Sequence, residues 1–439
     1  MQQKLASALC LVLASGCSLI TDSFVTNEFS GDEFPIEVDT TSGAIVVGLR
    51  EAGVADRTAV LDLIAPFTLA DEGVGAAQEI RTTTLEILGE DGPGGPLARP
   101  RARLEDAQLV SLHPCAEATC VVGTPASPAP YNAIIGADVL AGDAVRLRLG
   151  ADQIFVLADI GGDEESRTKA CDGVFPSPYR GGGTAVIAGT EVAFGGRRIA
   201  LGTCLGADPS PTKSQAFRGT DALFVVSTSI GISLLSEATY RRYIAGHPCD
   251  PALPPDDPRC PVALDALPEG AVNLPSGTVT GRRATLPDLA FAASSSADQR
   301  APCRQVYASH FMLQRDCSAG DADCPCNNDA DDPLFCTTPA ILSLAPPAGI
   351  EVLVVSDSNE TLQSLRTELR PNQPEVDGIL GTQALRAAEI DIDYPHNRLL
   401  TRCTGDGCVT RPQLAERSGR RQMAGCLADA PPGPAFPVP

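Results

Sequence analysis

Apolar positions dominate residues 43–71, "GAIVVGLREAGVADRTAVLDLIAPFTLAD". Short runs that alternate or are wholly apolar, cut by polar and Gly/Pro positions, predict strands rather than helices. One strand precedes a loop around Glu51–Asp56, a second ends at Asp62, and a third follows the turn at Ala65-Pro66. The plan returns in "TDALFVVSTSIGISLLSEA" (220–238), where an apolar strand again precedes a four-residue turn and another strand follows, with Ser227 at the place of Asp62. A second pair repeats in the same order: "YNAIIGADVLAGDAVRLRLG" (131–150) and "VDGILGTQALRAAEIDIDY" (376–394). Each has two apolar residues and a Gly, a short helix-like stretch ending in Leu, and then a strand. Two lobes built on one plan follow from this double repeat.

The chain is 439 residues long, enough for more than one packed lobe, and its 41 Gly, 37 Pro and absence of Trp suit a loop-rich, mainly β protein. A formal charge of −22 without a Lys/Arg cluster repels phosphate backbones and excludes nucleic acid as a partner.

The N-terminus has Lys4 and then the apolar run "LASALCLVLASG" before Cys17. That run is too short to span a bilayer as a helix and has the form of a secretory signal. Its ending, "LASGC", resembles the bacterial lipobox, which implies a signal over 1–16, acylation of Cys17, and a chain outside the cytoplasm held to the membrane by lipid. Ser18 after the cysteine points to the outer membrane. Of the 16 cysteines, Cys10 falls in the signal and Cys17 takes the lipid, leaving fourteen in an oxidising compartment, where disulfides are the default. Residues 17–35 read as a tether, 36–165 as the first lobe, 166–183 as a linker and 184–428 as the second lobe. Within the second lobe, about 244–348 reads as a Cys-rich insert on loops that carries Cys249, Cys260, Cys303, Cys317, Cys324, Cys326 and Cys336. Residues 429–439 form a Pro-rich tail.

An apolar strand ending in Asp, a turn, an apolar strand, and later apolar-apolar-Gly before a short helix, all occurring twice, is similar to the two-lobed aspartic proteases of the pepsin and retroviral type. Its most specific pieces are "DGILG" (377–381) and "IDIDYPHNRLL" (390–400). The resemblance implies a mainly β, pepsin-like fold with double-ψ β-barrel-type lobes and a cleft between them. In that family each lobe contributes an Asp-Thr-Gly turn, and the two carboxylates share a proton, one acting as base towards water while the other polarises the carbonyl. The Thr hydroxyl bonds across to the opposite loop, and the Gly lets backbone N–H groups approach the carboxylates.

Here Asp62-Leu63-Ile64 and Ser227-Thr228-Ser229 stand at the two turns. Asp62 keeps one carboxylate, Thr228 keeps one threonine, and a serine hydroxyl cannot hold the shared proton. A hairpin is readable over 82–108, but no aromatic residue lies between Phe67 and Tyr131, so the tyrosine of the family's flap is missing. The resemblance therefore implies a catalytically inactive lipoprotein that binds a peptide or protein in its cleft. The alternative is an endopeptidase that pairs Asp62 with a carboxylate outside the repeat.

No cofactor or metal is expected. In "CSAGDADCPCNNDADDPLFC" (317–336), Cys324 and Cys326 are too close in sequence for a familiar zinc pattern. "NNDADD" lacks the Gly and closing Glu of a calcium loop. His113, His247, His310 and His396 stand in no recognisable nucleophile arrangement.

Overall fold

The structure is a computed structural model. It describes residues 33–39, 42–90, 96–115, 117–139, 144–151, 153–157, 173–177, 182–195, 197–206, 219–247, 260–292, 341–368, 375–405 and 407–410. The signal, Cys17, most of the tether, the linker up to 172, residues 293–340 of the Cys-rich stretch and the tail lie outside them.

In the first lobe the strands Ile45–Glu51 and Arg57–Leu61 form the expected hairpin. The strand Ala133–Ile135 then threads between the two strands flanking the Asp62 turn. It runs parallel to Arg57–Leu61, with Ile135 opposite Leu61, and antiparallel to Leu69–Ala70. Pairing of Ile45–Glu51 with Glu79–Glu90 as well closes this seven-stranded sheet on itself.

The second lobe repeats the threading. Gly378–Leu380 runs parallel to Thr220–Val226 and antiparallel to Ser233–Ser236. Glycine is required at 378 because a Cβ there would run into the Leu234 carbonyl, which lies where the inserted strand squeezes between its neighbours. The expected fold class, mainly β and two-lobed with a ψ-type crossing in each lobe, is the one observed.

Two features join the lobes. A six-stranded sheet pairs Ala144–Arg148 from the first half with Ala388–Asp393 from the second, antiparallel and in register. Arg146 stands opposite Asp391 and donates to both of its carboxylate oxygens at 2.7 and 2.8 Å, and Arg148 pairs with Glu389. The hairpin Cys120–Thr124 with Ser127–Tyr131 also extends the second lobe's sheet, because Gly123 pairs with Asn273. Apolar residues of both halves, among them Leu61, Ile135, Leu235, Leu380 and Tyr394, pack into one buried core.

Within the Cys-rich stretch, Glu269–Leu274, Gly277–Leu286 and Leu289–Ala292 are strands of the second lobe's sheet. The irregular part is therefore shorter than 244–348. All six described cysteines are in disulfides: Cys115 with Cys120, Cys403 with Cys408, and Cys204 and Cys260 each bonded as well.

Candidate functional site

Each turn hangs from its inserted strand by the same bonds. Asp62 N donates to Ile135 O and Ser227 N to Leu380 O, both at 2.9 Å. Ala137 N donates to Ala65 O and Thr382 N to Ile230 O, again at 2.9 Å. Gly136 N is held by the Thr68 hydroxyl at 3.2 Å and Gly381 N by the Ser233 hydroxyl at 3.0 Å. Asp62 and Ser227 thus occupy equivalent places, as their alignment in the sequence predicts.

The contact between the turns is one-sided. Thr228 Oγ1 donates to Leu61 O at 2.6 Å and accepts from Leu63 N at 3.3 Å, so it braces the backbone on both sides of Asp62. Leu63, buried and without a hydroxyl, returns nothing. The Ile64 N–H does reach Asp62 Oδ1, at 3.0 Å. Glycine is thus not needed for that approach: the turn conformation places the N–H, and Ile64 packs against the second lobe's apolar cluster.

Ser227 directs its hydroxyl to Ser229 Oγ, 3.0 Å away, and accepts from Ser229 N at 3.2 Å. Burial pushes the Asp62 carboxyl above the ordinary range, and the Ile64 N–H, Ser229 and the Arg198 guanidinium oppose that rise. No carboxylate is among these groups. Asp221, the nearest acid before Ser227, sits six residues back along its strand, opposite Cys204.

Several residues around Asp62 carried no signal in the sequence. Arg198, almost fully buried, donates to Ile64 O at 2.9 Å and pairs with Glu368. Tyr131 and Tyr394 are buried with hydroxyls that find no hydrogen-bond partner among the described residues. Burial lifts both phenols, and the Asp62 charge contributes to each rise. Tyr131 immediately precedes the repeated "NAIIG" segment, which was the only available pointer to it. Asp138, two residues after Gly136, accepts from Thr68 N at 3.1 Å and from its hydroxyl at 2.9 Å, and burial pushes it up to about 6. Gln383 stands at the equivalent place of the second lobe. Cys17, the expected lipidation site, lies outside the described residues.

No family model matches the chain, and no curated protein does. Among solved structures it is similar to basic 7S globulin from soybean at 9% identity and a TM-score of 0.37, covering 91% of this chain and 98% of that one. It is also similar to aspartic proteinase from Irpex lacteus at 10% identity and a TM-score of 0.32, covering 85% and 98%. A third similarity is to conglutin gamma, a basic 7S globulin from lupine seeds, at 9% identity and a TM-score of 0.38, covering 86% and 96%. Likenesses this distant say nothing about chemistry. The pepsin-like description rests on the strand pairings and paired turns of this chain.

Proposed function

We propose that this protein is a catalytically inactive, aspartic-protease-like lipoprotein of the bacterial cell envelope that binds a peptide or protein ligand between its lobes. The observation that carries the reading is the solitary carboxylate. The place that should supply the second acid holds Ser227, whose hydroxyl is engaged by Ser229, and Asp62 alone cannot divide acid and base roles between two groups. The unpartnered Tyr131 and Tyr394 hydroxyls supply polarity near that centre without supplying a base. An extended ligand suits a sheet-built cleft because main-chain hydrogen bonds can add it as a strand.

The test is mass-spectrometric detection of cleavage in a diverse peptide mixture from acidic to neutral pH, with wild-type protein beside Asp62→Ala. No cleavage by either folded protein is expected. Products that vanish in the variant would make Asp62 a working catalytic residue and end the reading. Localisation is tested separately by fatty-acid labelling of cells: a labelled, membrane-bound wild type and an unlabelled Cys17→Ser are expected, and equal labelling of both would remove the anchor.

A further inference from the structure

Apart from the paired turns, one cluster joins the ends of three chain segments: Asp71 just after Leu69–Ala70, His113 just after Leu97–Ser111, and Cys115 and Cys120, the latter opening the strand Cys120–Thr124. One ligand atom from each of the four lies within 4.8 Å of all the others. The histidine and aspartate side chains are only 11% and 9% exposed, so the cluster is largely withdrawn from water.

The hydrogen bonds around the cluster fix the imidazole. His113 Nε2 lies 2.8 Å from Glu117 O, a carbonyl that can only accept, so Nε2 donates there. Nδ1 lies 2.6 Å from Asp71 Oδ1, where the imidazolium donates a second, charge-assisted hydrogen bond; loss of that proton would free Nδ1 and Oδ1 as ligand atoms. The other carboxylate oxygen, Oδ2, lies 3.3 Å from Cys120 Sγ. In the disulfide that sulfur has no hydrogen to give, whereas a thiolate and a carboxylate at that spacing can share a cation.

The supports are those of a metal site. A ligating imidazole commonly donates its second ring N–H to a backbone carbonyl, as His113 does to Glu117, and a ligating carboxylate is itself hydrogen-bonded, as Asp71 Oδ1 is by Gly73 N at 2.9 Å. Cys115 and Cys120 have Cα atoms 5.6 Å apart, close enough for both sulfurs to meet at one ion. Two sulfurs, one imidazole and one carboxylate in a compact set suit a tetrahedral, thiophilic divalent cation, zinc foremost.

We propose that the reduced Cys115/Cys120 pair, with His113 and Asp71, forms a zinc site, and that the disulfide is the metal-free state of the same four residues. Opening the bridge takes two electrons from an external thiol donor: two donor thiols become one disulfide, and their two protons pass to the Cys115 and Cys120 sulfurs. Zinc then displaces those two protons and takes the place of the proton between His113 and Asp71. This device is independent of the cleft and of the function proposed for it.

Native mass spectrometry of the full chain with zinc, before and after mild thiol reduction, tests the site. One zinc per chain is expected after reduction and none before, with the Cys403→Ser/Cys408→Ser double variant behaving as wild type and His113→Ala binding at least tenfold more weakly. Because reduction opens other bridges, Cys115→His provides a second route: it cannot form this disulfide, leaves the remaining bridges oxidised and keeps four donors. One zinc per folded chain is expected for it without any reductant. A folded Cys115→His variant that takes no zinc, or reduced protein whose uptake ignores His113→Ala, overturns the proposal.

Discussion

The turns at 62–65 and 227–230 hang from their lobes by the same backbone bonds yet carry different side chains. The first has an acid, Asp62, followed by Leu63. The second has Ser227 followed by the threonine Thr228. Thr228 braces Leu61 and Leu63 across the lobe boundary, while the groups that hold the Asp62 carboxyl down are the Ile64 N–H, Ser229, Arg198 and the Ala65 backbone. The two turns can share one architecture with different side chains because backbone bonds tolerate almost any side chain, whereas a shared proton needs two carboxylates.

The largest effect is expected from Thr228→Val. It leaves the Leu61 carbonyl and the Leu63 N–H without this partner, a loss of about 2–6 kcal/mol at roughly 1–3 per unsatisfied group. The mirror change, Leu63→Thr, breaks no hydrogen bond, and its cost of about 1–3 kcal/mol is that of the buried apolar side chain it removes. Urea unfolding of both variants measures the asymmetry directly. A Thr228→Val variant as stable as wild type would show that the hydroxyl does not brace the turn.

Ser227→Asp, which restores the second acid, comes next. Two buried carboxylates near one another raise each other's pKa, and a raised folded-state value gives stability that is present below the unfolded range, near 3.9, and lost as pH climbs through the folded value. The variant should match wild type near pH 4 and fall behind it by about 2 kcal/mol at pH 7. A pH-independent difference would place residue 227 out of electrostatic reach of Asp62.

Asp62→Asn is the mildest change. Burial already holds the Asp62 carboxyl above its ordinary range, so wild type loses stability as pH rises past the usual carboxylate values, at about 1.4 kcal/mol per pH step until the folded-state value is passed. The amide cannot ionise, so thermal unfolding should show the variant gaining on wild type between pH 4 and 7. Asp138, pushed up to about 6, contributes a loss of the same sign over the same window and stays in both proteins, which makes it an internal reference. A variant that falls behind as pH rises would mean that the Asp62 carboxylate is stabilised by its surroundings.

The hydrophobic pattern by itself determined the strands flanking both turns, the doubling of the plan and the equivalence of Asp62 with Ser227, because strand period and Gly-terminated inserted strands are local signals. Only the tertiary structure decided that Ser227 and Ser229 bond to each other, that Arg198, just before the strand Ala200–Leu205, reaches the first turn, and that Arg146 finds Asp391 across the lobe boundary. It also set Asp71 and His113 beside Cys115 and Cys120, although the cysteines that drew attention in the sequence were those of 317–336. The long-range pairings depend on the register of strands more than a hundred residues apart, or on strand ends that meet only once a sheet has closed. A periodic pattern says which face of a strand is buried; sheet closure chooses the neighbour it meets there.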